Sequence, residues 1–268
     1  MKTEKEIKDM VKSKYTDIAL GSISSCCSST SCCGNDNVNT YTVFQDDYSK
    51  LNGYVKDADL GLGCGIPTEF AAIKEGDTVV DLGSGAGNDV FVAQKLVGQS
   101  GEVIGIDMTE DMINIANKNL QKLGYKNVKF LLGDIESMPL NSEIADVVIS
   151  NCVLNLVPDK KKAFNEIFRI LKSGGHFCIS DVVILGEFPL ELIKSATLYA
   201  GCVSGALQQQ EYLNIIKEIG FVNIEIKKSK IIDLPDDLLL QFMDNNELKS
   251  FHENFKGLFS ITVVANKI

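Results

Sequence analysis

Apolar and polar positions along this chain follow two different periods. Near the start, Ile7, Met10, Val11 and Ile18 share one stripe of a 3.6-residue repeat, with Tyr15 at its margin and charges between them. That spacing predicts an amphipathic helix from about Glu4 to Ile18. From Thr78 onward short β-rich runs alternate with longer amphipathic stretches. "TVVDLGSGAGND" predicts a buried strand ending at Asp81, a glycine turn, and a helix from about Asn88 to Val97. "EVIGIDM", "VKFLLGD", "IADVVISN" and "HFCISDVVI" predict four further strands. Helices are expected over "TEDMINIANKNLQKLG" and over "KKKAFNEIFRILKSGG", the latter closed by its glycine pair. Apolar runs of this kind, spaced by helices, imply a parallel sheet covered on both faces.

The end of the chain departs from this alternation. A helix over "QQEYLNIIKEIG" leads to the strand-like "FVNIEIKKSKII", then to an acidic helix around "PDDLLLQFMDNNELKSFHENF" and finally to "LFSITVVANKI". The last two strand-like runs are expected to be neighbours at the sheet edge, the final one inserted antiparallel. Between Gly21 and Thr42 the composition shifts to Ser, Cys, Asn, Thr and Gly, which bury little apolar surface, so a mobile loop is expected unless a ligand orders it. The chain therefore divides into a helix and Cys-rich extension (1–66) and an α/β domain (67–268).

Charge narrows the range of partners. A net charge of −10 argues against nucleic acid, which requires a basic footprint, and against docking on anionic lipid. No window approaches the ~18 apolar residues of a spanning helix, and the charged start lacks a signal-peptide core, so the expectation is a cytoplasmic protein. In that reducing compartment the eight cysteines are expected to be thiols rather than a disulfide framework.

The glycine turn carries the sharpest chemical signal. Gly83, Gly85 and Gly87 follow a strand and open a helix, where the backbone approaches a ligand closely and amide donors remain unsatisfied. Asp107 ends the next strand, at the distance where a ribose needs an acceptor. Asp81, just ahead of the turn, would repel a pyrophosphate but suits a ligand bearing an ammonium group. This arrangement resembles the class I S-adenosylmethionine-dependent methyltransferases, which implies a Rossmann-like sheet, mostly parallel, with an antiparallel last strand. The resemblance implies that Met108 and Asn151 also line the cofactor site, that Asp134 accepts from the adenine amino group, and that Ile135 covers a ring face. Asp134 as a solvated loop acid or helix cap is the competing reading.

Cys152 lies one residue past the fourth strand, where ligands of doubly wound sheets bind. Cys64 sits in "GLGCGIP" and Cys202 in "YAGCVSGAL". Each taken alone reads as a small core residue. Together, "GLGCG", "DLGSGAG", "GIDMT", "SNCVLNLVPDK" and "GCVSGAL" resemble the arsenite methyltransferase family over roughly Leu60 to Leu207. The resemblance implies that Cys64, Cys152 and Cys202 hold arsenic(III) as a thiolate complex beside the methyl donor. It also implies that an upstream cysteine takes part in thiol redox chemistry, with thioredoxin or glutathione as reductant. Cys32 and Cys33 are candidates, as are Cys26 and Cys27. A tail of casual thiols or an adventitious zinc site is the plainer reading of "CCSSTSCC". Cys178, inside the fifth strand, is expected in the core, His176 and His252 in structural or surface roles, and Lys160, Lys161 and Lys162 at a solvated helix start. Two rival functions share these residues: methylation of a small organic acceptor such as a quinone ring, and non-catalytic sequestration of arsenite or a metal.

Overall fold

The computed structural model describes residues 3–21, 46–186, 205–232, 236–240, 243–254 and 257–268. Seven strands form one sheet: β1 (Thr78–Leu82), β2 (Glu102–Asp107), β3 (Val128–Leu132), β4 (Ala145–Asn151), β5 (Leu171–Leu185), β6 (Val222–Ile232) and β7 (Gly257–Asn266). Their order is β3-β2-β1-β4-β5-β7-β6. The first five pair in parallel, and β7 runs antiparallel between β5 and β6. The expected antiparallel insertion at the sheet edge is therefore present.

Helices cover both faces. Neighbouring residues of β1 show why apolar residues follow one another in it without alternation. Val79 belongs to the cluster built with α2 (Asn88–Val97) and α3 (Glu110–Leu123), whereas Val80 belongs to the cluster built with α4 (Lys160–Ile170) and α5 (Gln209–Ile219). A strand whose two faces are both buried has no polar side to present. Aromatic rings fill the second cluster, with Phe164 edge-on to Tyr212 and Phe177 edge-on to Phe221.

Three expectations shift. α4 is not closed by the glycine pair; the chain passes directly into β5, which starts at Leu171, five residues earlier than the apolar run suggests. Pairing outside the run explains this, because the backbone of Gly174 and Gly175 bonds to Lys267 beyond β7. The late acidic helix is two helices, α6 (Asp236–Leu239) and α7 (Asn245–Asn254). Lys160 is buried, unlike Lys161 and Lys162, because helical spacing places it on the face that Ala163, Phe164 and Ile167 turn toward the sheet.

The first helix, α1 (Glu4–Ala19), starts at a capping box in which Thr3 and Glu6 satisfy each other's backbone amides. Its stripe does not face outward. Val11 is buried and Tyr15 half-buried against a third apolar cluster, at the carboxyl end of the sheet. The expected loop from Gly21 to Thr42, with Cys26, Cys27, Cys32 and Cys33, lies almost wholly outside the described residues, as do Cys202 and the segment before it. No helix among the described residues is long and apolar enough to cross a membrane.

Candidate functional site

A cleft of about 1110 Å³, counted out to its open mouth, lies at the carboxyl ends of β1, β2 and β4. Its walls include Asp81, Gly83, Gly85, Asp107, Met108, Asp134, Ile135, Asn151 and Cys152, so the motifs read separately converge here. Gly87 is not part of the wall; it caps α2 from beneath, against Phe91 and Phe130.

The glycine turn is held by the acid of the neighbouring strand. Gly85 N–H donates to one Asp107 oxygen at 3.0 Å and Thr109 N–H to the other at 2.8 Å. Gly83 adopts φ +66°, and a Cβ there would lie 2.4 Å from a Val153 methyl. Gly85 adopts φ +51°, but a Cβ on it would meet nothing within 4 Å. The turn is thus packed on one side and opens into the cleft on the other.

Three buried carboxyl groups face this space. Burial, reinforced by the charges of Asp89 and Asp107, holds Asp81 well above the usual carboxylate range. Burial lifts Asp89 to about 6, against the pull of hydrogen bonds from Asn151 and Tyr48. Asp107 is raised by burial, opposed by the amides of Thr109 and Gly85. Such a group of acids, reluctant to ionise together, is relieved by a cation. The buried Ser84 Oγ and Asn88 Oδ1, both on the cleft wall, have no hydrogen-bond partner among the described residues. Unsatisfied polar atoms, a turn open to a ligand and a demand for positive charge all suit S-adenosylmethionine.

Asp134 lies at the mouth, where Lys8 of α1 reaches it at 2.6 Å and also pairs with Glu136. Asp134 Oδ1 additionally accepts Glu136 N–H, so both the cleft-facing and the loop-capping readings describe part of its environment. Lys8 loses some preference for charge through burial but gains more from the two carboxylates, so its pKa is raised.

Cys64 and Cys152 are both buried and belong to the same apolar cluster, with Val11, Leu156, Val182 and Leu258. Cys152 lines the cleft, whereas the cleft reaches the Cys64 loop through Leu62 and Gly63. Cys152 has φ +61°, a left-handed conformation that costs a β-carbon residue roughly 1–2 kcal/mol, and its N–H donates to Ser180 O at 2.8 Å. Strain of this kind gathers at functional sites. Among the described residues no three His, Cys, Asp or Glu side chains form a metal-holding group. The third expected thiol, Cys202, lies outside those residues.

The remaining candidates take structural places. The Cys178 thiol, pushed up to about 12 chiefly by burial, donates to Pro67 O at 3.1 Å in the core. His176 contacts Ala71 O and exposed His252 contacts Asp236; neither ring lines the cleft. Sequence reading missed Tyr48 and Asp89, both on the cleft wall. The Tyr48 hydroxyl lies 2.9 Å from Asp89 Oδ1. The only signal was the placement of Asp89 in the first turn after the glycines; nothing in "QDDYSK" marks Tyr48.

A family model described as a methyltransferase domain matches residues 73–237, more than half of the chain. The chain belongs to the methyltransferase-domain family. This methyltransferase is 40% identical over 237 residues to an arsenite methyltransferase of Halobacterium salinarum, covering 82% of this chain and 59% of that one. It is 38% identical over 183 residues to an arsenite methyltransferase of Homo sapiens, with coverages of 64% and 48%. A crystal structure of an arsenic(III) S-adenosylmethionine methyltransferase from Chlamydomonas reinhardtii superposes with a TM-score of 0.64 at 34% identity, over 77% of this chain and 68% of that one. The resemblance read from the five motifs therefore extends along most of the sequence, and the sheet is that of a class I methyltransferase. The methyltransferase spans about half to three-fifths of the length of these curated relatives.

Proposed function

We propose that this methyltransferase transfers a methyl group from S-adenosylmethionine to trivalent arsenic held by cysteine thiolates. The observation that carries the reading is the burial of Cys64 and Cys152 in one apolar cluster, Cys152 on the wall of a cleft whose acids call for a cation. When bound, S-adenosylmethionine supplies an electrophilic sulfonium methyl for the arsenic lone pair. Asp107 and Asp134 would hold the nucleoside, Met108 and Ile135 would pack against it, and Asp81 would face the methionine end.

The thiols supply the rest. Cys64, Cys152 and Cys202 each become a ligand by losing a proton to an arsenite hydroxyl that leaves as water, an As–S bond replacing each As–O bond. Arsenic(III) is soft enough to prefer sulfur over the nearby carboxylates. No base is needed at the nucleophile, because the lone pair carries no proton. Methyl transfer leaves arsenic formally pentavalent. A second, protonated thiol then attacks an arsenic-bound sulfur, releasing one proton, so that the As–S bond breaks with its electron pair returned to arsenic and a disulfide closes. Cys64 and one of Cys26, Cys27, Cys32 or Cys33 form that pair, and thioredoxin or glutathione reopens it.

Arsenite titration followed by sulfur-to-arsenic absorption, with labelled donor turnover measured in parallel, tests the reading. Expected are methylated arsenic from the wild type and loss of both signals in Cys64→Ser and Cys152→Ser. Donor binding without arsenic binding, or full activity in both variants, would reject it.

A further inference from the structure

Cys64 has its backbone held by side chains rather than by a strand or helix. Its N–H donates to Asn151 Oδ1 at 3.0 Å, and its carbonyl accepts from Ser260 Oγ. The next carbonyl, of Gly65, accepts from Asn151 Nδ2 at 2.8 Å. One carboxamide therefore clasps the Cys64–Gly65 pair, its acceptor on the Cys64 amide and its donor on the Gly65 carbonyl. Those two partners fix which way the amide points, since neither contact survives a flip.

Packing adds to the hydrogen bonds. A Cβ on Gly63 would lie 2.6 Å from Asn151 Nδ2, and a Cβ on Gly65 would lie 2.6 Å from Ser180 Oγ. Gly63 and Gly65 let the loop lie flat on β4 and β5 at Asn151 and Ser180. Asn151 is also the residue immediately before Cys152, whose own N–H is tied to Ser180 O. Both thiol-bearing backbones are thus referenced to the same two positions, Asn151 and Ser180.

We infer that Asn151 is a positioning residue that sets the Cys64 thiol against the Cys152 thiol, an inference that rests on the reading of these thiols as arsenic ligands. Its donor capacity is fully spoken for: two N–H groups face Gly65 O, the Tyr48 hydroxyl at 2.8 Å and Asp89 Oδ2 at 3.2 Å. Its N–H groups therefore serve the Cys64 loop and its brace. Tyr48, bonded to both Gly65 O and Asp89, braces the clip from behind.

Binding of phenylarsine oxide, which needs two thiols in register, tests this by a double-mutant cycle. Asn151→Ala should weaken it on the order of tenfold or more. In a Cys64→Ser background the same change should cost little further, because the thiol being positioned is gone. Thermal melts verify that each variant is folded. Asn151→Asp, isosteric but with an oxygen against Gly65 O, should show the same loss and serves if the alanine variant fails to fold. Unchanged binding in both Asn151 variants, or an equal loss with and without Cys64, would overturn the inference while leaving the arsenic reading intact. A wild type that binds no arsenical would overturn both.

Discussion

Alanine at Gly83 and at Gly85 should damage this protein in different ways, although the two glycines are one residue apart. At Gly83 the left-handed φ costs roughly 1–2 kcal/mol for a β-carbon residue. The new methyl would also press on Val153, 2.4 Å away, whose branched side chain has little rotamer freedom to retreat. Overpacking of that kind adds about 1–3 kcal/mol. The sum is about 2–5 kcal/mol, lessened by up to about 1 kcal/mol because alanine also restricts the unfolded chain. At roughly 2–4 °C per kcal/mol, Gly83→Ala should melt on the order of 10 °C below wild type. Gly85→Ala incurs only the conformational cost, a few degrees, because its methyl meets nothing within 4 Å. That methyl enters the cleft instead, and S-adenosylhomocysteine affinity should fall roughly 5- to 150-fold. Thermal melts with and without ligand, plus calorimetry, separate the two outcomes. A Gly85→Ala protein that binds ligand normally, or that is less stable than Gly83→Ala, would refute the reasoning.

Three further outcomes follow from the site. Donor affinity should rise with pH through about 6, because a cation favours ionised Asp89; below that, calorimetry should show a loss of up to about tenfold per pH unit, flattened in Asp89→Asn. The sign for the ligand-free fold is opposite: the native state binds the Asp89 proton more tightly than the unfolded chain, so this contribution to stability declines as pH rises from about 4 to 6. Cys152→Gly should be about 0.5–1 kcal/mol more stable to urea than Cys152→Ala, the reverse of the usual order, because φ is +61°; a more stable alanine variant would show that the strain is absent. Lys8→Met removes the pairs with Asp134 and Glu136, and amide exchange in α1 should speed up about 3- to 10-fold; unchanged protection would mean that Val11 packing alone holds the helix.

The parts of the fold legible in the sequence are those dictated by local patterning. β1, β2 and β4 carry consecutive apolar residues because both their faces are buried, and α2 starts at Asn88, directly after the glycine turn. The early start of β5 was not legible, since it depends on Lys267, almost a hundred positions away. The stripe on α1 announced a buried face without saying against what. Motif spacing gathered most of the cleft, but the roles of Tyr48 and Asn151 come from hydrogen bonds between segments that no local period relates. Lys160 misled because a run of three lysines reads as solvated until the helix phase is known.

The place of β7 has a consequence for biosynthesis. Among the described strands β6 pairs with β7 alone, so residues 222–232 have no seat in the sheet until residues 257–266 have left the ribosome. Until then the β5 edge that β7 covers stands open to pairing with a foreign strand, and the Ser260 hydroxyl that holds the Cys64 carbonyl is not yet in place. The Cys64 loop is therefore among the last parts of this domain to be held in place, and a stall in translation before Gly257 would leave a nascent chain prone to aggregate.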